Sequence, residues 1–244
     1  NSTFKWGGKQ IYWFHMPAFF MIAGMIYRDK KNFVEFFKKK FKRLIIPYLL
    51  YLGIFSIFVR ESMYNLIYGG ARLVGMFGVF WFSTTMFLTL ILYFFIRKLS
   101  VEKRILTIGF LYVLSYVHST IFPKIILPLG IDITAISLAY LFIGDSVRKE
   151  CSREKVIIPA IAVCLITLFF GSWYVLNMKN HVYNNFILDL LIPSAFTIII
   201  LMISKIIQNK TDYLKKFLQL SGKWSLTIMF LHIPLIMIIE KVIK

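Results

Sequence analysis

Two histidines stand two residues ahead of a proline inside long apolar runs, His15 before Pro17 and His232 before Pro234. A neutral imidazole can take a proton or orient a hydroxyl near neutral pH. An ionisable group at membrane depth faces a bundle interior or a wet cavity, because lipid penalises it. Both histidines are therefore candidates for general-base chemistry. Asp132 and Asp189, each at the start of an apolar run, could line the same outward-opening polar pocket. First-turn or N-cap acids at an interface explain them equally well. His118 reads as a snorkelling residue at a helix end.

A second chemistry resides in the cations. Lys38, Lys39, Lys40, Lys42 and Arg43 form a dense anion site just ahead of the apolar run that begins at Leu44. Arg43, four residues before Pro47, offers a planar fork that can clamp phosphate. Ser221-Gly222-Lys223 stands where the last apolar run begins, a place for backbone N–H groups to attract phosphate. A soluble phosphorylated donor such as a nucleotide or coenzyme A fits both. A topogenic block touching anionic headgroups is the competing account of the lysines. The sequence has no Gly-rich phosphate loop, G-x-S-x-G elbow or His-Glu-x-x-His, so soluble hydrolase and metalloenzyme chemistry is unsupported. Cys151 and Cys164 give no disulfide framework and no metal-ligand spacing.

These residues need a lipid-embedded scaffold. Hydrophobic residues make up 59% of the 244 positions, and the mean hydropathy is +0.73, too apolar for a watery surface to enclose. Eight runs of roughly the length that crosses a bilayer lie at 11–27, 44–59, 79–96, 104–121, 131–147, 156–176, 186–204 and 224–240. The expected fold is all-α, a polytopic bundle of eight transmembrane helices forming one domain. The net charge of +18 does not indicate nucleic acid, because the positive residues sit in short loops between apolar runs. Loops 28–43, 97–104, 148–155 and 205–223 hold 21 of the 29 Lys and Arg residues. That asymmetry places them in the cytosol and His15, His118, Asp132 and Asp189 toward the outside, with His232 near the middle of its span. The chain begins with Asn1, not Met, and starting outside implies at least one earlier helix.

Five strings in order resemble the acyltransferase type 3 family of integral-membrane O-acyltransferases. They are Phe14-His15-Met16-Pro17-Ala18-Phe19-Phe20 with Gly24; Lys40-x-x-Arg43-Leu44-x-x-Pro47-Tyr48; Trp81-Phe82; Leu129-Gly130-Ile131-Asp132 with Gly144; and Ser221-Gly222-Lys223-x-Ser225 leading to Leu231-His232-x-Pro234. The fucose O-acetylase-like branch looks closest. The resemblance implies an acyl group, in the first instance acetyl, taken from acyl-CoA and delivered to a hydroxyl of a bacterial cell-surface saccharide. It also implies an Arg-x-x-Arg donor element, in which Lys40 replaces the first arginine. A leading catalytic histidine is implied in a helix ahead of Phe14, so residues 1–244 alone are expected to be inactive.

On this reading Lys40, Arg43 and Lys223 hold the acyl-CoA, and His15 and His232 serve the acceptor hydroxyl. Trp81, Asp132 and Asp189 contact the saccharide, no metal takes part, and the partners are acyl-CoA, the saccharide and the bilayer of a cell membrane. Bent helices with polar groups at mid-depth would also suit a transporter or flippase for a lipid-linked saccharide. An internal repeat would favour that alternative, and none is visible.

Overall fold

Two of the apolar runs are interrupted near a proline, Pro17 and Pro47, while Pro159, Pro193 and Pro234 lie inside continuous helices. The computed structural model describes residues 7–28, 32–58, 63–151, 153–208 and 212–243. Lys30 and Lys31 of the 28–43 loop lie outside them. Among the described residues the chain is helical outside its short connections and the 174–187 segment, with one isolated bridge, Asn177 to Val182, and no strand.

The first expected span is two helices, α1 (Gly7–Tyr12) and α2 (His15–Met25). Phe14 leaves helical geometry at φ −138°, and Pro17, which has no N–H to return to Trp13, follows the break in the first turn of α2, where that loss is tolerated. α3 (Phe33–Lys40) starts on Asn32, whose side chain accepts from the N–H groups of Val34 and Glu35. A π turn, Phe41–Ile45, carries it into α4 (Ile46–Phe58). Pro47 explains that turn. It cannot donate to the Arg43 carbonyl, as an α turn requires, or to that of Lys42, as a π turn requires, and a widened turn relieves its ring's clash with the chain one turn back.

There follow α5 (Met63–Tyr68), short 3₁₀ turns, α6 (Trp81–Ile96), α7 (Val101–Ile121), α8 (Ile131–Val147) and α9 (Glu154–Phe170). The chain ends with α10 (Leu188–Gln208), α11 (Asp212–Lys223) and α12 (Ser225–Ile243). Five stretches are long and apolar enough to cross a membrane: Gly75–Ile96, Val101–Ile121, Pro128–Val147, Glu154–Trp173 and Leu188–Ile207. A sixth is reached if α11 and α12, bent 76° apart, count as one. The fold is thus a polytopic helical bundle of five or six such stretches among the described residues, not eight. The two that fall away are 11–27, split at Trp13 and Phe14, and 44–59, which the π turn and Pro47 reduce to a 13-residue α4.

The chain packs as two compact units. The first draws on 1–29, 95–124 and 135–206. Here α2 crosses α8 backbone to backbone. A Cβ on Gly24 would meet the Leu141 carbonyl, and one on Gly144 the Met21 carbonyl. At one end Asp145 pairs with Arg97 at 2.9 Å and Arg148 at 3.7 Å, and Arg148 donates to the Tyr27 carbonyl at 3.0 Å. Arg104 closes the neighbouring turn through the carbonyls of Arg97 and Leu99. At the other end Trp13 meets Tyr174, and Tyr112 and Tyr116 bond to the 185–189 segment. Along α7 Arg104 and Tyr116 are 12 residues apart, roughly 18 Å and so more than half a hydrocarbon thickness.

The second unit draws on 30–94, 125–134 and 207–244. α3 and α4 run antiparallel to α6 along an aromatic seam. Phe33 and Phe36 meet Phe94, Phe37 and Phe41 meet Phe87, and Tyr48 and Phe55 meet Phe80. Phe230 of α12 closes the core against Phe80 and Tyr51.

Candidate active site

In the first unit His15 opens α2 at its break from α1. Its Nδ1 lies 3.0 Å from the Ile11 carbonyl. A carbonyl only accepts, so Nδ1 carries the hydrogen and the basic lone pair of the neutral ring is on Nε2. Tyr12 stands edge-on to the imidazole at 5.0 Å. The same tyrosine lines a cavity of about 550 Å³ whose polar wall is Gln10, Ser172 and Asn177 and whose aromatic wall includes Trp13 and Tyr174. Amide, hydroxyl and aromatic groups around one opening suit a polyol ring, which needs both hydrogen bonds and an apolar face.

Asp189 is fully buried. Its Oδ2 accepts from the Tyr116 hydroxyl at 2.6 Å and from the N–H groups of Asn184 and Asn185 at 2.8 and 3.3 Å. Tyr112 continues the chain to Tyr116 at 3.1 Å, and Tyr140 donates to the Asp189 carbonyl. This carboxyl holds a turn onto the start of α10 and presents no open face to a substrate. Nearby, the rings of His118 and His181 lie 5.3 Å apart, with His181 at φ 55°. His181 escaped the sequence reading, where Asn180, Asn184 and Asn185 around it signal only a turn.

In the second unit Arg43 lies exposed within the π turn. Lys40, one turn earlier, is half-buried with its ammonium 5.5 Å from the Phe36 ring. Burial, and after it the charges of Arg43 and Lys39, hold the Lys40 ammonium below the usual lysine range. A cation strained in this way gains most from an arriving anion.

Trp81 is 4% exposed and edge-on to Phe82. Its face is packed and not offered to a ring. Asp132, 7% exposed, accepts from the N–H groups of Leu127 and Ile133, both at 3.0 Å. It shapes the turn in which Leu129 and Gly130 take φ of 58° and 79°. His232 repeats the pattern of His15. Its Nδ1 sits 2.7 Å from the Met229 carbonyl and 3.2 Å from that of Ile228, again placing the lone pair on Nε2.

Lys223 needs a correction. Ser221-Gly222-Lys223 ends α11 and does not begin α12, so the helix dipole there has its negative end. The expected phosphate-binding N-terminus is therefore not formed by these residues. The structure brings Lys40 and Arg43 together and sets His15 against Tyr12 of the cavity wall, while Asp132, Asp189 and Trp81 support turns and packing. Among the described residues no three His, Cys, Asp or Glu side chains converge as metal ligands.

No curated protein and no solved structure matches the chain significantly. A family model described as an acyltransferase domain matches residues 1–244, the whole sequence. With its apolar helices, the chain belongs to the acyltransferase type 3 family and is a membrane acyltransferase.

Proposed function

We propose that the protein transfers an acyl group from acyl-CoA to a hydroxyl of a cell-surface saccharide in a bacterial cell membrane, in the manner of the fucose O-acetylase-like branch. The observation that carries the donor half is the Lys40 and Arg43 pair, one cation held below its usual range and the other displayed by the π turn. The phosphates of coenzyme A relieve both. The acceptor half rests on the cavity of Gln10, Trp13, Ser172 and Asn177 next to Tyr12 and His15.

The chemistry balances simply. His15 Nε2 takes the proton of the acceptor hydroxyl, the oxygen attacks the thioester carbonyl, and the C–S bond breaks as the C–O bond forms. The proton then passes from the imidazolium to the departing thiolate. His232, with the same ring orientation, is the alternative base.

The test uses full-length protein in vesicles with radiolabelled acetyl-CoA and extracted surface glycan. Label should appear as ester on the glycan. Glycan crossing the membrane without label would instead identify a flippase. Arg43→Ala removes a charge-assisted contact and should raise the KM for acetyl-CoA at least tenfold while leaving the KM for glycan unchanged. An unchanged donor KM would remove Arg43 from the site.

A further inference from the structure

A second cavity, about 580 Å³, lies wholly within the second unit. One wall is a single stripe of the α4 face running from Phe41 through Tyr48, Leu52 and Gly53 to Ser56, and Phe87 of α6 stands across from it. The stripe begins in the π turn that displays Arg43. Cations are therefore at its head and hydrocarbon lines its length.

Its polar groups narrow what can occupy it. Ser56 donates to the Gly53 carbonyl at 2.8 Å and Thr84 to the Trp81 carbonyl at 3.0 Å, so both hydroxyls are engaged by their own helices. Tyr48 is 4% exposed, and among the described residues its hydroxyl has no hydrogen-bond partner. A buried hydroxyl left without a partner is costly, and a native site offers one where a ligand supplies the acceptor. Gly69 approaches it closely, and a Cβ there would stand 3.2 Å from the tyrosine oxygen. Past the hydroxyl, a Cβ on Gly53 would meet nothing within 4 Å.

One donor set in an apolar slot asks for one acceptor set in a hydrocarbon chain, which is the carbonyl of an acyl group. We propose that this groove binds the acyl portion of a thioester donor. Tyr48 Oη donates to the thioester carbonyl, and the alkyl chain lies along Leu52 and Gly53 toward Ser56. The inference rests on the donor reading of Lys40 and Arg43 and extends it from acetyl to medium-chain donors. The eight residues from Tyr48 to Ser56 supply roughly 12 Å of wall beyond the hydroxyl. During transfer the same hydroxyl stabilises the negative charge that develops on the carbonyl oxygen.

The experiment compares acetyl-, butyryl-, octanoyl- and palmitoyl-CoA as donors for full-length protein in nanodiscs. Octanoyl-CoA should have a KM at least tenfold below that of acetyl-CoA, since each buried methylene adds to binding. Gly53→Phe, and the smaller Gly53→Leu if the first folds poorly, should erase at least tenfold of that preference. Tyr48→Phe should lower kcat about a hundredfold with every donor while the affinity for coenzyme A itself stays put.

If octanoyl-CoA is no better than acetyl-CoA although Arg43→Ala still impairs both, the groove proposal falls and the donor reading survives. If no acyl-CoA of any length binds, both fall. If Gly53→Phe releases a tightly held phospholipid, seen by native mass spectrometry, and leaves chain-length preference intact, the groove is a lipid seat and the proposal is overturned.

Discussion

The carbonyl beneath each imidazole fixes which nitrogen can act as base. In His15 and His232 the Nδ1 hydrogen is tied to the preceding turn, so Nε2 carries whatever basicity the ring offers. His15→Asn keeps a donor near the Nδ1 position and removes Nε2. It should fold normally and lose about a hundredfold or more in kcat, as read by label transfer to glycan, whereas a variant with unchanged kcat would take His15 out of the role of base. Lys40 predicts a pH effect. A lysine held below 10.5 loses its proton sooner as pH rises, so the KM for acyl-CoA should climb with alkalinity before an ordinary lysine would titrate. Lys40→Arg should flatten that rise, because arginine stays charged. The sequence pointed to these residues by type and spacing. It could not reveal that Asp189 is closed in by Tyr116, which lies 73 positions away, because a first-turn acid looks the same whether it faces a cavity or a packed tyrosine.

At the scale of helices, the decisive sites are those where backbones touch or turns widen. Gly24 and Gly144 let α2 and α8 pack with carbonyls where side chains would be. Gly144→Ala should force the pair apart at a cost of about 1–3 kcal/mol, measured as a lower unfolding temperature in detergent, whereas Gly109→Ala, on an open helix surface, should not. Both glycines are plain in the sequence, but their pairing is not, since 120 residues separate them. The π turn was equally hidden. Pro47 announced a disturbance near Arg43 without saying whether the helix would kink, end or widen. α11 shows the opposite case, with Gln219 and Lys223 on one side and Leu214, Phe217 and Leu218 on the other. That split is readable directly by periodicity, and all five residues are exposed.

Taken as a whole, the bundle is what composition demanded, and the number of crossings is not. Hydropathy counts apolar residues, whereas a crossing needs a helix of sufficient length, and the break at Phe14 and the π turn before α4 leave two candidates short. Within the first unit the arginines at 97, 104 and 148 lie at the end opposite the 171–189 segment. In a background lacking Cys151 and Cys164, Lys149→Cys and Asn180→Cys should therefore react with an impermeant maleimide from opposite sides of a sealed vesicle. Labelling from one side alone would contradict the assigned sidedness. The Arg148 bond to the Tyr27 carbonyl joins positions 121 residues apart. A nascent α2 leaves the ribosome long before its glycine partner and its closing guanidinium have been synthesised. It must wait, unpaired, in the insertion machinery or in lipid, which makes this early segment the one whose maturation depends most on translation running to the far side of α8.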